Sequence, residues 1–348
     1  MPADRVRLVL SPAARVLWRG PSSVQLEIGD DAIIVDGARP ETIRSLVEST
    51  ARATDRCAGD GLPREAFAPE ALRALGDAGF VRPRAAQGAD PRATPPVPRL
   101  AADLLALSAR FGPEAAAVLG ARRSRNVAVE GTSRIATHLA ALLGAAGVGR
   151  VYLPASGDVR LHQAMPGGLT PADEGRRFTE SSGDAVRRAA PDTELTPLPM
   201  GQYPDLVVLA SDAPVDPDRR DALHAARCAH LLVQFGLDSG TVGPLVVPGR
   251  TSCLACAELA RRDRDPAWPA LAVQLTVAPR RGTGSDVVLV SALAAVAAQQ
   301  VLAYLDGEPV DAVADGSLEL RCGDWRVRRR TRLPHPDCDC GAAFPDPD

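Results

Sequence analysis

Two closely spaced pairs of cysteines constrain this chain more than any other feature of its sequence. Cys253 and Cys256 form a C-L-A-C motif, and Cys338 and Cys340 form a C-D-C motif near the end of the sequence. Two such pairs can surround one metal ion with four thiolates in a tetrahedron that leaves no position open for water. The sequence therefore predicts a structural zinc site that ties the C-terminal segment to the body of the chain.

Other roles for the cysteines remain open at this point. The second pair is tighter than a C-x-x-C motif, and the nearby His335 could replace one of its thiolates. The alternatives are a redox C-x-x-C or incidental thiols, although redox chemistry does not need a distant second pair. Cys228 is typical of a core residue, and Cys57 and Cys322 have no identifiable histidine or cationic helix end beside them. We predict no nucleophilic cysteine.

The length and charge of the chain exclude several classes of function. The 348 residues suit two domains, and the formal net charge of -3 does not supply the basic field that non-specific nucleic-acid binding needs. All basic side chains are arginines, because the sequence contains no lysine. Reactions through a lysine Schiff base or a lysine phosphate clamp are therefore excluded.

The hydropathy pattern predicts a cytoplasmic protein without membrane contact. The N-terminal region has no apolar run of signal-peptide length, and cysteines without a secretory signal favour free thiols or metal ligands over disulfides. Residues 286–305 are strongly apolar, but Gln299 and Gln300 lie inside this stretch. A long buried helix is therefore favoured over a membrane span.

Short β-like runs separated by glycine and proline begin the chain and suggest a small meander. These runs are residues 6–10, 15–18, 24–28 and 32–35. Two amphipathic helical patterns follow at 40–53 and 68–78, before a short strand at 80–81. This order is similar to a winged-helix peptide-recognition domain, which we assign to residues 1–85, with a proline-rich linker at 86–98.

Strand-like and helix-like segments alternate over residues 99–348. Strands are predicted at 127–129, 151–153, 205–210 and 230–235, and helices at 100–110, 132–143, 218–228 and 286–305. Alternation of this kind predicts an α/β domain with a Rossmann-like doubly wound sheet.

Two polar groups beside these elements are assigned structural roles. Ser285 or Asp286 is predicted to cap the long apolar helix that follows it. The arginines Arg122, Arg123 and Arg125 precede the first strand of the α/β domain. We interpret them as a solvated charged loop, with contact to an acidic peptide or a nucleotide phosphate as the alternative.

The segment V-A-V-E-G-T-S-R-I-A-T-H-L-A-A-L-L-G-A-A-G-V-G-R-V-Y-L resembles the nucleotide-binding strand, loop and helix of the ThiF/MoeB family of adenylating proteins. The spacing from Gly131 to the G-V-G turn at 147–149 fits the family pattern without gaps. The segments 204–214, 236–256 and 335–341 follow in the family's order. The resemblance covers about residues 120–342, and it implies structural zinc, a site for ATP and magnesium, and a homodimer as found in many family members.

The nucleotide loop departs from the family pattern at several positions. Ser133 and Arg134 stand where the family has glycines, so side chains occupy space that a phosphate needs. The expected acidic positions for the ribose hydroxyls are Ala155 and Gly157, and Asp158 is one residue out of register. The site is therefore predicted to be degraded.

Asp212 falls where the family places its magnesium-linked acidic residue, and Arg219 could be its basic partner. The alternative is a turn or cap aspartate before Pro214. The resemblance thus implies Gly131, Asp158 and Asp212 as cofactor-binding residues, with Asp212 as the catalytic candidate.

Two functional hypotheses follow from the resemblance. The first is a ThiF-like pseudoenzyme that binds a leader or precursor peptide, or acts as a scaffold, and presents the peptide to a modifying enzyme such as a cyclodehydratase. The second is an active adenylyltransferase that uses ATP and magnesium to activate the C-terminal carboxylate of a peptide or a small ubiquitin-like protein. The disrupted glycine pattern argues against a dinucleotide oxidoreductase.

Overall fold

The computed structural model describes residues 7–10, 16–28, 32–36, 41, 62–63, 73, 75, 81–83, 97–211, 214–277 and 284–342. The chain divides into two compact units, residues 1–120 and 121–348. Most of the linker predicted at 86–98 lies outside the described residues, so the assignment of residues 1–85, 86–98 and 99–348 stays a prediction.

The described strands of the first unit form two small antiparallel sheets, ordered β5-β1-β6 and β2-β3-β4. The strands are β1 (Arg7–Leu10), β2 (Val16–Gly20), β3 (Ser23–Leu26), β4 (Ile33–Asp36), β5 (Leu62–Pro63) and β6 (Val81–Pro83). In the second sheet, Val24 and Leu26 of β3 are fully buried. In a meander β1 would pair with β2, but it pairs with β5 and β6 instead. The predicted meander is therefore wrong for β1, because a local pattern locates a strand without choosing its partner.

The winged-helix assignment stays a prediction, because most of its two predicted helices lies outside the described residues. Glu41, Arg73 and Leu75 are helical. Helices α1 (Ala101–Phe111) and α2 (Ala115–Arg122) close the first unit, and α2 runs into the second. They bury a leucine cluster at helical spacing that consists of Leu100, Leu104, Leu107 and Leu119.

A seven-stranded sheet ordered β13-β12-β11-β10-β9-β7-β8 forms the second unit. Its strands are β7 (Asn126–Glu130), β8 (Arg150–Tyr152), β9 (Leu206–Ser211), β10 (His230–Phe235), β11 (Ser239–Val246), β12 (Gly316–Arg321) and β13 (Arg328–Thr331). Neighbouring strands from β8 to β10 are parallel, and β11, β12 and β13 add antiparallel pairs. The Rossmann-like α/β sheet is present as predicted, but about half of it is antiparallel.

Helices cover both faces of this sheet. The covering helices are α3 (Arg134–Ala145), α4 (Phe178–Ala189), α5 (Pro217–Ala225), α6 (Leu254–Arg264) and α8 (Val287–Leu305), and the mostly exposed α7 (Trp268–Val277) follows α6. Val127 and Val129 of β7 belong to the core under α3, α4 and α8, whereas Ala128 between them belongs to the core under α5 and α6. This alternation is the two-residue period of a strand buried on both faces.

Among the described residues, α8 is the helix that is long and apolar enough to cross a membrane, judged by length and composition. Its inward residues, among them Leu289, Leu293 and Val301, are fully buried in the larger core, which accounts for its apolar composition. Asp286 caps the helix as predicted, because its Oδ1 accepts hydrogen bonds from the N–H groups of Val288 and Leu289 at 2.8 and 2.9 Å.

Candidate metal centre and nucleotide loop

The structure brings the four predicted cysteines together, with all four sulfurs within 4.8 Å of one another. The Sγ of Cys253 lies 3.7 Å from that of Cys256 and 3.6 Å from that of Cys338. The Sγ atoms of Cys256 and Cys340 are also 3.6 Å apart. A zinc ion with Zn–S bonds of about 2.3 Å holds the sulfurs of a regular tetrahedron about 3.8 Å apart. The four thiols therefore fit a tetrahedral metal ion closely.

The beginning of α6 positions the first pair. Cys253 is the residue before the helix, and Cys256 lies in its first turn. The partial positive charge of a helix N-terminus favours thiolates at these positions. On the second pair's side, the Cys338 N–H donates to the carbonyl of His335 at 3.0 Å, which closes a turn. The pair from the chain's end thus meets the pair on α6.

The protonation of these thiols depends on burial and on backbone hydrogen bonds. Burial raises the pKa of the Cys253 thiol to about 11 and also raises the pKa of Cys338. Burial acts in the same direction at Cys256, but a backbone hydrogen bond from His335 and contacts with its cysteine neighbours outweigh it, so the pKa of Cys256 is lowered. Metal binding here would release protons, because thiolates are the ligands.

His335 takes other partners than a metal ion. Its Nε2 lies 2.7 Å from Oδ2 of Asp263, and its Nδ1 accepts the N–H of Asp337 at 3.1 Å. Because both ring nitrogens are engaged, the structure offers four thiols as the ligand set. Four sulfur ligands at these distances suit zinc, and such a closed set has a structural role.

The loop before α3 is built around Gly131. This residue has a φ of +127°, and a Cβ on it would lie 2.2 Å from the carbonyl oxygen of Ala210. Only glycine fits at a positive φ with so close a neighbour. The end of β9 is therefore in close contact with the loop that follows β7. The chain continues from β7 to β8 on one side and later to β9 on the other, so the strand order reverses between β7 and β9. In open α/β sheets, ligands bind where the strand order reverses.

The side chains that follow Gly131 are bound to the chain itself. Ser133 Oγ donates to the Ala210 carbonyl at 3.1 Å. The Arg134 guanidinium donates to the carbonyls of Ser285 and Ala164 at 2.9 and 2.7 Å. The loop is further closed by Gln163, whose Nε2 donates to the carbonyl of Thr132. Gln163 was not predicted, because 31 residues separate the two partners.

Of the two acidic residues predicted for cofactor binding, Asp158 is described by the structure and Asp212 is not. Asp158 lies on an exposed turn after β8, where its backbone forms an isolated antiparallel β-bridge with the backbone of Arg177. Asp212 lies outside the described residues, directly after the end of β9. Its predicted role therefore stays a prediction.

Arg219, considered as a partner of Asp212, is bound elsewhere. Its Nε donates to Oε2 of Glu130 at 2.9 Å, and its second guanidinium nitrogen contacts Oε1. Glu130 is the last residue of β7 and directly precedes Gly131. This ion pair was missed in the sequence, where Glu130 has no local signal that distinguishes it.

The arginines before β7 form internal ion pairs. Arg122 binds Asp306, Arg123 binds Asp192 and Arg125 binds Asp205. The prediction of a solvated charged loop is therefore corrected, because each guanidinium is paired with a carboxylate supplied by a distant segment. The contact with a nucleotide phosphate, which was the alternative, would require one of these pairs to open.

The remaining cysteines and histidines do not assemble a second cluster among the described residues. Burial raises the pKa of the Cys228 thiol to about 11, which makes it a poor nucleophile near neutral pH. Cys322 packs against the edge of the larger core. Cys57 lies outside the described residues.

Together, the parallel strands around the Gly131 loop and the helices on both faces of the sheet fit a Rossmann-like α/β fold. Several solved structures share this fold. Escherichia coli MccB with ATP is 14% identical, with 96% of this chain and 99% of that chain covered and a TM-score of 0.67. The microcin C7 biosynthetic enzyme MccB with N-formylated MccA is 15% identical, with 96% and 99% covered and a TM-score of 0.68. PaaA is 12% identical, with 92% and 99% covered and a TM-score of 0.63.

At these identities the likeness shows the fold alone. No family model and no curated protein matches the sequence.

Proposed function

We propose that this chain takes part in peptide modification and binds a leader or precursor peptide without activating it through ATP. The likeness to MccB, which has been solved with ATP and with the peptide MccA, supports peptide modification as the setting. The loss of adenylation rests on one observation. The Arg134 guanidinium, at the position of a family glycine, is bound to the carbonyls of Ser285 and Ala164.

The physical reason lies in the space that a phosphate needs. Glycines in such a loop let the backbone approach phosphate oxygens and direct its N–H groups at them. Here Ser133 and Arg134 add side chains, and hydrogen bonds to the chain's own carbonyls hold both of them. An incoming phosphate would have to displace these contacts. These contacts support the proposal that the loop does not hold the phosphates of ATP.

We propose that the four thiols bind zinc and thereby hold the C-terminal segment against α6. Residues 1–85 would bind the peptide as a winged-helix domain and present it to a modifying enzyme such as a cyclodehydratase. The protein would act in the cytoplasm as a homodimer.

One observation favours the second candidate, an active adenylyltransferase. The Ser133 side chain makes no capping hydrogen bond to α3, so the first N–H groups of that helix have no side-chain acceptor from this residue. In this alternative Arg134 would leave its carbonyl partners and contact a phosphate, while Gly131, Asp158 and Asp212 would serve ATP and magnesium. The product would be an adenylated carboxylate on a peptide or a small ubiquitin-like protein.

ATP–pyrophosphate exchange separates the two candidates. We expect the zinc-loaded chain to give no exchange above background with candidate peptides, and calorimetry to detect no binding of ATP with magnesium. Exchange that disappears in Asp212→Ala would instead establish the adenylyltransferase.

A gain-of-binding variant gives a second readout. Replacing both Ser133 and Arg134 by glycine should produce ATP binding that calorimetry detects, at least about tenfold above the detection limit that the unaltered chain does not reach, if side chains close the loop. Arg177→Gly, which removes an exposed arginine near Asp158, is the matched control and should still show no detectable ATP binding.

A further inference from the structure

A cavity of about 760 Å³ lies beside the cysteine group, between α6 and the edge of the sheet at β13. Its walls come from α6, from β12 and β13, and from the segment that leads from β13 to the second cysteine pair. This volume lies within the range of ordinary ligand sites. The described residues include no strand on the far side of β13, so this strand ends the sheet.

Positive charge dominates the lining. Arg264, Arg330 and Arg332 line the cavity together with one acidic residue, Glu319. The Glu319 carboxylate is already neutralised, because Arg330 contacts its Oε2 at 2.8 Å and Arg321 contacts its Oε1 at 2.5 Å. The cavity therefore carries excess positive charge.

Two of these guanidinium groups are without a carboxylate among the described residues. Arg264 at the end of α6 uses only its Nε, which donates to the carbonyl of Ala260 at 3.1 Å. Arg332 also uses its Nε, which donates to Ser317 Oγ at 3.2 Å. Burial and the neighbouring arginines Arg261 and Arg264 lower the pKa of Arg332. An anion placed between these two groups would relieve their repulsion.

Two further arginines near the cavity have other partners. Arg261 contacts Glu258 and lies over the ring of Trp268, with 5.2 Å from its guanidinium carbon to the ring centroid. Arg329, which also lines the cavity, is without a carboxylate among the described residues, but its three guanidinium nitrogens donate to the carbonyls of Asp311 and Ala314 and to Thr331 Oγ1. Within the part of the chain that the structure describes, Arg264 and Arg332 are thus the cavity arginines that have neither a carboxylate partner nor a hydrogen bond from a terminal guanidinium nitrogen.

We infer that this cavity binds an acidic peptide segment, with two carboxylates held by Arg264 and Arg332 and with the segment extended beside β13. Guanidinium groups match carboxylates through paired N–H donors. An edge strand offers unpaired backbone groups to an extended chain, whose alternate side chains then point to the same side. The exposed Leu333 adds an apolar contact next to the cavity.

The inference goes beyond the proposed function, because it concerns a second surface and requires neither adenylation nor its loss. The cavity borders α6, whereas the Gly131 loop leads into α3 on the opposite face of the sheet. A positive exchange assay would overturn the proposed function without affecting this site.

Fluorescence anisotropy with the full zinc-loaded chain tests the inference. The probe is a labelled peptide of alternating glutamate and valine, and its glutamine counterpart is the matched control. We expect at least about tenfold tighter binding of the glutamate peptide, weakened when salt rises from about 50 mM to about 200 mM. Equal binding of the two peptides overturns the inference.

Variants locate the binding in the cavity. Arg264→Gln changes an exposed side chain at a helix end, so the fold should survive, and it should weaken the glutamate peptide at least about tenfold. Arg332→Lys keeps the charge but loses the paired donors and should also weaken it. Arg187→Gln on α4 is the control and should bind as the wild type does. Wild-type affinity in Arg264→Gln would overturn the inference.

Inorganic phosphate distinguishes a peptide site from a general anion site. At equal ionic strength we expect phosphate to displace the glutamate peptide no better than chloride does. Phosphate binding that Arg264→Gln removes, with no binding of the glutamate peptide, would overturn the assignment to a peptide.

Discussion

Arg122 and Asp306 form a bidentate ion pair inside the second unit, although 184 residues separate them in the sequence. The Nε–Oδ1 distance is 2.9 Å and the Nη2–Oδ2 distance is 2.6 Å, and the side chains are 5% and 1% exposed. The remaining nitrogen of Arg122 donates to the carbonyl of Ala146 at 3.0 Å. One guanidinium thus joins the ends of α2, α3 and α8.

Removing one member of this pair should destabilise the protein strongly. Arg122→Met leaves the Asp306 carboxylate buried without its partner, and we expect the free energy of unfolding to fall by about 3–5 kcal/mol. Urea denaturation at neutral pH measures it. The control is Arg187→Met, which breaks an exposed pair with Asp184 and should change stability by less than about 1 kcal/mol. Equal effects of the two variants would contradict the role of burial.

The four-cysteine group should bind one zinc ion per chain. Cys253→Ser and Cys338→Ser each remove a thiolate from a different pair, and we expect both to lose zinc and stability together, because metal binding contributes folding energy. Elemental analysis with thermal denaturation, before and after a chelator, measures both quantities. Cys322→Ser is the matched control. A Cys338→Ser protein with a full zinc content would refute the four-thiol site.

Stability should fall in mild acid because of His230. Burial is the main cause that lowers the pKa of this histidine to about 4, against an ordinary value of 6.5. Its Nδ1 lies 3.0 Å from the Cys228 carbonyl, and its Nε2 has no hydrogen-bond partner among the residues that the structure describes. The stabilising contribution is present above pH 6.5 and is lost as pH falls toward 4, since the unfolded chain takes up the proton first.

From this shift we expect His230 to account for about 2 kcal/mol of the stability lost between about pH 7.5 and about pH 5. Replacing His230 by glutamine should remove that part of the loss. Urea denaturation at both pH values measures it, with the exposed His162→Gln as control. Any acid-induced release of metal is common to both variants. Identical pH dependence in the two would disprove the assignment.

Gly131 should tolerate alanine much less well than Gly157 does. Both have a positive φ, +127° and +100°, but a Cβ on Gly157 would meet no atom of the described part of the chain within 4 Å. Gly157→Ala should therefore show only backbone strain of about 1 kcal/mol, whereas Gly131→Ala also forces β9 away from the loop and should lose at least about 2 kcal/mol more. Thermal denaturation compares the two. Similar losses would show that the loop and β9 are less tightly packed than the distances indicate.

Local patterns were sufficient for several parts of this protein. The cysteine pairs, the strand and helix around Gly131, and the cap at Asp286 were all predicted from residues close together in sequence. The contact of Trp268 could not be predicted in this way. Its Nε1 donates to Glu258 Oε2 and so joins the first residue of α7 to the middle of α6, a pairing that no short motif indicates.

The sequence by itself determined the strands β7 to β10 and the helices α3, α5 and α8 of the second unit, and it determined which four thiols can meet at a metal ion, because periodicity and short spacing act within one element. Only the tertiary structure decided that β11, β12 and β13 complete the sheet antiparallel, that Arg134 is bound by Ser285 and Ala164, and that Arg264 and Arg332 share a cavity. These contacts join residues far apart in the chain. Their partners follow from how whole elements pack, which no local pattern encodes.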